Sequence, residues 1–455
     1  MGGMELKNKR VLVVGLGKSG MAAALFLKAR GARVTVSDTR SAAALAHEIP
    51  ALLEAGIMVE SGGHGLLTFR RQDLIVVSPG VPLETPEVAQ AAALGMPVMG
   101  ELELAARFLQ GEVVAITGSN GKTTTTTLVG KIFADAGLPT LLGGNIGLPV
   151  IELVGAAKSE TWNLLEVSSF QLETVSEFRP KIAAVLNITP DHLDRHKTFS
   201  NYAAAKTKIT AQQTDEDFLV LNAEDKAAQI VAATTKAQIF WFSALRQIKQ
   251  GAFVHGESVF FLAKEGGKAE PVLPVAEIAL KGAHNVENVL AAVCVARLAG
   301  ISAESIRSSV RGFRAVEHRL ELVGTVAGVE FYNDSKATNV DAAMKAVASF
   351  AGDIHLILGG KDKDSDYTVL GPLVRERVKV VYTVGSAAEK IERQLAGMAK
   401  IESAGTIERA VTLAAEAALP GDVVLLAPAC ASFDQFENYE HRGRVFREQV
   451  QGLGT

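Results

Sequence analysis

Short β-branched runs recur along this chain, each closed by a turn and followed by an amphipathic stretch rich in alanine and leucine. That alternation constrains the fold more than any other feature. The runs include Val11 to Val14, Val113 to Ile116, Asn163 to Val167, Ile182 to Ile188, Phe218 to Leu221, Ile354 to Leu358, Val378 to Val384 and Val423 to Ala427. A strand covered on both faces reads as an unbroken apolar run, and an intervening helix makes successive strands parallel. The fold class is therefore α/β: mostly parallel sheets flanked by helices. At roughly 150 residues per domain, the 455 residues predict about three domains. Prolines and a fresh strand at Val113 put the first break near residue 105, and a second falls near Arg311 to Arg319. The expected domains are 1–105, 106–314 and 315–455. Between Ile239 and Pro274, short apolar runs separated by glycines predict an antiparallel excursion inside the middle domain. A new series of runs is expected to start at Val329.

Composition removes several function classes. Lys plus Arg number 46 against 50 for Asp plus Glu, a net charge of -4, so no nucleic-acid partner is expected. Two cysteines, Cys294 and Cys430, supply neither a disulfide framework nor a four-cysteine zinc site. No apolar stretch approaches ~20 residues, and no export-type segment follows the first ten residues. A cytoplasmic protein with no membrane insertion is expected.

Two glycine-rich turns sit between a strand and a helix. In the first, Gly15-Leu16-Gly17-Lys18-Ser19-Gly20, glycines let the backbone approach a diphosphate at a helix N-terminus. Asp38, closing the next strand and followed by Thr39 and Arg40, stands where an acid would bond a ribose hydroxyl. Alone, this motif reads as an NAD-type dehydrogenase site or as a tight turn that binds nothing. The second is Thr117-Gly118-Ser119-Asn120-Gly121-Lys122-Thr123-Thr124. Its backbone N–H groups suit phosphate oxygens, Lys122 suits the terminal phosphates, and the Thr123 hydroxyl suits Mg²⁺. A dehydrogenase has no use for this loop. Two phosphate-binding turns in two domains point instead to a nucleotide-bearing substrate joined to ATP chemistry.

Acidic and histidine residues collect at strand ends. Glu166 ends an apolar run, where a carboxylate is costly unless paired or metal-bound. The run from Ile182 leads into Thr189-Pro190-Asp191-His192-Leu193-Asp194-Arg195-His196. Ligands gather beyond the carboxyl ends of parallel strands, so Glu166 and His192 can face one site and, with Thr123, hold Mg²⁺. The His192/His196 spacing invites a zinc reading, but Leu-Asp-Arg intervenes and no third ligand is evident. Lys206, in Tyr202 to Lys206 opening a helical stretch, has no distinction on local grounds. His284, Asn285 and Asn288, ahead of an apolar helix from Val289 to Leu298, suit an adenine edge or a helix cap. The last domain offers His318-Arg319, Asn333 to Asn339, Gly359 to Lys363 and Pro428 to Phe436. The last three each follow an apolar run and so fall at one end of a sheet.

The motifs TGSNGKTT, GGNIG, LEVSSFQLE, NITPDHLDRH, YAAAK, HNVEN, HR, NDSKATN, LGGKDK and PACASFDQF occur in this order and resemble those of the Mur ligases across essentially the whole chain. The resemblance implies Rossmann-like first and last domains around a central P-loop ATPase-like domain. It also implies an ATP-dependent amide ligase of peptidoglycan precursor synthesis. Its substrates would be UDP-N-acetylmuramoyl-L-alanine, D-glutamate and ATP, its cofactor two Mg²⁺ ions, and its state a monomer. Gly17, Lys18, Ser19, Gly20, Asp38, Thr39 and Arg40 would then hold a uridine nucleotide instead of a dinucleotide, with Asn145 and Ser168 at the muramoyl-alanine end. Gly118 to Thr124 would hold ATP phosphates, His284, Asn285 and Asn288 would lie near adenine, and Arg319 and Asp334 near ribose and phosphate. Lys122, Glu166, His192 and Lys206 would be catalytic. Thr123, Glu166, His192 and Lys206 would serve the metal ions, Lys206 as a carbamate. Thr338, Lys363, Ser432 and Tyr439 would bind the incoming D-glutamate. Two positions depart from the family pattern: Lys361, where an acid is common, and Tyr439, where phenylalanine is.

Overall fold

The structure is a computed structural model that describes residues 4–314 and 317–453. Its strands form three sheets, each wrapped by helices. The first holds five parallel strands, Arg10–Val14, Arg33–Asp38, Met58–Ser61, Leu74–Val77 and Val98–Gly100, in the spatial order third, second, first, fourth, fifth. In such an order the chain reverses direction between the first and fourth strands, opening a crevice at their carboxyl ends. The Ser78 hydroxyl donates to the Gly15 carbonyl (2.7 Å) across that reversal.

The second sheet has nine strands with Glu112–Thr117 between Trp162–Glu166 and Ile182–Val185, all parallel. The expected antiparallel excursion is realised only in part. Gly251–His255 runs parallel to Gln238–Ser243, and only Ser258–Leu262 and Glu270–Pro274 are antiparallel. The tight parallel return depends on Gly251, whose φ of +127° and close approach to the Trp241 carbonyl exclude any side chain. Helix Ala283–Leu298 is fully buried from Val289 to Ala296, as its all-round apolar sequence requires.

The third sheet has six strands, five of them parallel, with the hairpin Glu321–Val326 and Val329–Asn333 at one edge. The chain therefore enters this sheet one strand earlier than Val329. The missed strand is half exposed and carries no buried residue, so it lacks the apolar run by which the others are recognised. Ala315, where the third domain was expected to begin, lies outside the described residues.

Packing differs between the two junctions. One apolar cluster runs without a break from the first sheet into the second, from Val11 through Leu104 to Ile151 and Leu172. Glu103, fully buried in helix Glu101–Ala106, reinforces it by accepting from the backbone N–H groups of Ser176, Glu177 and Phe178. The clusters under the third sheet contain only residues from 320 onward. Its contact with the second sheet is largely polar, as described below. Among the described residues, no helix is long and apolar enough to cross a membrane.

Candidate active site

The phosphate-binding loop leaves strand Glu112–Thr117 and enters helix Lys122–Asp135 through Gly121. Gly121 has φ +84°, and a Cβ there would overlap the Asn288 amide. The loop is fastened to the next strand end: Ser119 N–H donates to the Asn187 carbonyl (2.9 Å), Asn120 N–H to Asn187 Oδ1 (2.8 Å), and Thr189 N–H to Ser119 Oγ (2.9 Å). Lys122 curls over the loop and donates to the carbonyls of Gly118 (2.8 Å) and Ser119 (2.9 Å). Burial lowers its pKa, against the opposing charges of Glu166 and Asp191. Glu166 is 1 % exposed and has both oxygens engaged, accepting from Thr123 Oγ1 (2.7 Å) and Asn145 Nδ2 (2.8 Å).

Strand Ile182–Val185 ends earlier than its apolar run, so the segment from Leu186 to Asp191 is irregular. His192 follows in the left-handed region (φ 54°, ψ 35°), unusual for a residue with a side chain. Burial pushes its imidazole down to about 4, against the pull of Asp191, so the ring is neutral at pH 7. His196 does not join it: one ring nitrogen lies 3.0 Å from Ser169 Oγ and the other 3.5 Å from Glu173. The zinc reading fails on that geometry. Lys206 lies near the end of helix Phe199–Thr207 and does not open it. It is 1 % exposed and donates to the Gly118 carbonyl at 2.8 Å. Burial, and then the charge of Lys122, hold its pKa well below that of an ordinary lysine.

Three cavities meet around these groups. One of about 430 Å³ is lined by Lys122, Glu166, Ser168, His192 and Lys206 on one side and by Arg319, Thr338, Lys363, Ser432 and Tyr439 on the other. A second, about 870 Å³, opens at the crevice of the first sheet. Gly17, Lys18, Ser19, Asp38, Thr39 and Arg40 line it, and it reaches Thr123 and Asn145. Gly20 does not line it; a Cβ there would collide with the Gly15 carbonyl, so this glycine serves close packing. Asp38 spends its carboxylate on the loop, accepting from Leu16 N–H (2.7 Å) and Arg40 N–H (2.8 Å). Burial would raise its pKa, but the Arg40 guanidinium and these N–H groups bring it below the usual range. The third cavity, about 60 Å³, is lined by Asn120, Gly121, Thr124, His284, Asn285, Asn288, Arg319 and Asp334. His284, Asn285 and Asn288 lie inside the first turns of helix Ala283–Leu298, not ahead of it. The Asp334 carboxyl is pushed up to about 7 by burial, with Arg319 opposing.

Family models match three successive stretches: a MurD-like N-terminal domain of Mur ligases at residues 9–100, the Mur ligase middle domain at 116–296, and the Mur ligase glutamate ligase domain at 318–430. A protein of Acidobacterium capsulatum named UDP-N-acetylmuramoylalanine–D-glutamate ligase is 66% identical over 447 residues, covering 98% of this chain and 97% of its own. The protein of that name from Koribacter versatilis is 58% identical over 450 residues, covering 99% of both chains.

The chain belongs to the Mur ligase family.

Solved Mur-type structures share its fold. A UDP-N-acetylmuramate-alanine ligase from Thermotoga maritima gives a TM-score of 0.61 at 17% identity over 98% of this chain and 100% of its own. A pseudomurein peptide ligase type C from Methanothermus fervidus gives 0.60 at 19% over the same shares.

In this Mur ligase the lobe that carries the third sheet meets the middle lobe through contacts that sequence reading passed over. Asp191, 7% exposed, accepts from Lys363 Nζ (3.1 Å) and Asn339 Nδ2 (3.0 Å) across the gap. Asn120 of the phosphate loop donates to Asp341 at 2.6 Å, and the Thr189 hydroxyl does so at 3.2 Å. Burial alone would raise the Asp191 pKa, but Lys363 and His192 hold it at about 2. Asp191 and Asn339 both stood inside quoted motifs, yet nothing local marks a pair separated by more than a hundred positions.

The donor set around Glu166 suits a hard cation. It offers a hydroxyl, a carboxylate and a neutral imidazole. Among the described residues no group of three or more His, Cys, Asp or Glu side chains forms a closed cage. Such a half-set fits Mg²⁺, which keeps waters and substrate phosphates in its shell.

Proposed function

We propose that this protein is an ATP-dependent ligase that adds D-glutamate to UDP-N-acetylmuramoyl-L-alanine in peptidoglycan precursor synthesis, acting as a cytoplasmic monomer. The observation that carries the reading is the shared wall of the three cavities: groups from all three lobes line spaces that adjoin at Asn145, Tyr439 and Arg319 and all meet at Lys336. The 870 Å³ cavity takes the nucleotide-sugar, the small cavity the adenosine end of ATP, and the 430 Å³ cavity the reacting ends and the amino acid.

A carboxylate is too poor an electrophile to acylate an amine in water. ATP removes that obstacle: an oxygen of the L-alanyl carboxylate attacks the γ-phosphorus, the bond to ADP breaks, and an acyl phosphate forms. Lys122 exchanges its two loop carbonyls for phosphate oxygens and offsets charge as the phosphoryl group moves. Thr123, Glu166, His192 and a carbamylated Lys206 would hold two Mg²⁺ ions, which supply Lewis-acid charge at the phosphates when bound. Support for the carbamate comes from Lys206 itself. Burial favours its uncharged amine, the form that adds CO₂, and the anion turns repulsion from Lys122 into attraction. The neutral amine of D-glutamate, its carboxylates held by Thr338, Lys363, Ser432 and Tyr439, then attacks the carbonyl carbon. The C–N bond forms, the C–O bond to phosphate breaks, and the amine's proton passes to the departing phosphate. An acyl phosphate hydrolyses if wetted, and the Asp191, Asn339 and Asp341 contacts close the cleft against water.

The test is ADP release with UDP-N-acetylmuramoyl-L-alanine, with and without D-glutamate. Sustained release is expected only with D-glutamate present. Equal rates with L-glutamate would overturn the amino-acid assignment.

A further inference from the structure

Among the described residues Lys336 alone lines all three cavities. Its backbone is held on both sides: Lys336 N–H donates to the His318 carbonyl (3.2 Å), and the buried Arg442 guanidinium donates to the carbonyl of Ser335 (2.8 Å). The ammonium stands 3.7 Å above the centroid of the Tyr439 ring. It has no hydrogen-bond or ion-pair partner among the described residues. A ring face positions a cation without consuming its N–H donors, so three donors stay free.

Its charged surroundings hold both signs. Arg319 and Lys122 oppose its charge, and Glu166 and Glu440 favour it; Glu166 is already bonded to Thr123 and Asn145, and neither acid bonds the ammonium. Burial first, then Arg319, push the Lys336 pKa down to about 7. Lys122, Arg319 and Lys336 line one cavity, and among the described residues no acid bonds the Lys336 ammonium, an arrangement that suits an anion that arrives. The group that touches ATP, the nucleotide-sugar acid and the amino-acid space in turn is the phosphoryl group in transit.

We propose that Lys336 is a further catalytic residue whose ammonium hydrogen-bonds the phosphoryl group throughout its passage from ATP to the substrate carboxylate and out as phosphate. The proposal rests on the ligase reading above. Lys336 makes and breaks no covalent bond. In the first step the P–O bond to ADP breaks as the bond to the carboxylate oxygen forms; in the second, C–N forms as C–O breaks and phosphate leaves. The ammonium donates to the same phosphoryl oxygens in both.

Steady-state kinetics with all three substrates, on the full chain, tests this. Lys336→Met and Lys336→Gln are expected to lower kcat by about 100-fold or more, the usual loss when one oxyanion donor is removed. The KM values should stay within about threefold, because the contact is strongest in the transition state. Lys336→Cys should be equally slow, and alkylation with 2-bromoethylamine, which builds a thioether analogue of lysine, should recover at least about tenfold. Cys294 and Cys430 are buried, so wild type treated alike is the control. A purely structural role would not be repaired in the folded protein, and thermal melting checks that the variants fold. Near-wild-type kcat in Lys336→Met overturns the proposal. So does a rise in one substrate's KM alone, or a folded Lys336→Cys that alkylation does not repair. If wild type forms no ADP, the ligase reading falls and takes the proposal with it; an active wild type beside an active Lys336→Met overturns the proposal alone.

Discussion

Replacing Glu101 with glutamine should stabilise the protein above neutral pH and do little at pH 5. Glu101 begins the helix that joins the first two lobes and is 1 % exposed. One oxygen accepts from the Ile151 N–H at 2.6 Å, and the other is buried without a partner. Ile151 follows the Asn145 to Pro149 loop on the 870 Å³ cavity, so this carboxyl is part of that loop's mount. Burial, outweighing the bonds from Ile151 and Val150, pushes its pKa from 4.5 to about 7. A raised folded pKa contributes stability that is complete below the unfolded pKa and is lost as pH rises through the folded one. Between pH 5 and pH 8 linkage gives a loss of about 2.5 kcal/mol from this one group. Glutamine copies the protonated carboxyl and does not titrate, although its extra N–H donor costs about 1 kcal/mol if unpaired. The variant should therefore be slightly less stable than wild type at pH 5 and more stable at pH 8, the difference changing by about 2.5 kcal/mol. Urea unfolding read by tryptophan fluorescence is the assay, because both tryptophans, Trp162 and Trp241, lie in the second sheet. A difference that does not move between the two pH values would refute the claim that Glu101 is held protonated.

Three further outcomes are expected. Lys122→Ala should abolish ADP formation while leaving the melting temperature within a few degrees; unchanged turnover would remove the loop from ATP chemistry. Lys206→Ala should cost at least about 100-fold in kcat and recover in part with acetate or another short acid that can fill the vacated space. Full activity without the acid would take Lys206 out of the site. Asp191→Asn, which cancels the ion pair to Lys363 and leaves its shape, should raise the D-glutamate KM roughly tenfold, the loss expected for breaking a charged hydrogen bond. It should also let ADP form in excess of amide, as water reaches the acyl phosphate. Strict one-to-one stoichiometry in this variant would show that the contact does not guard the cleft.

Much of the architecture was legible from contiguous residues. Runs such as Val423 to Ala427 emerged as strands because only a doubly covered position tolerates five apolar residues in succession. The phosphate loop was legible for a related reason: Gly121 needs a backbone that other residues rarely adopt, and that need is met locally. Reading failed where the environment, not the residue, supplied the signal. Glu321–Val326 was missed because a half-exposed edge strand needs no apolar run. Lys206 had no local mark, and its dry setting comes from the phosphate loop packed against it. The Asp191–Lys363 and Lys336–Tyr439 partnerships join segments that no spacing rule connects.

The sequence by itself determined the α/β class, the two glycine-rich turns and the order of the chemical segments, since backbone preference and periodicity belong to neighbours in the chain. Only the tertiary structure decided which carboxylates are held ionised, which lysines lose their water, and which three surfaces come to share Lys336. Those outcomes are set by burial and by charge at short range, and both are measured through space.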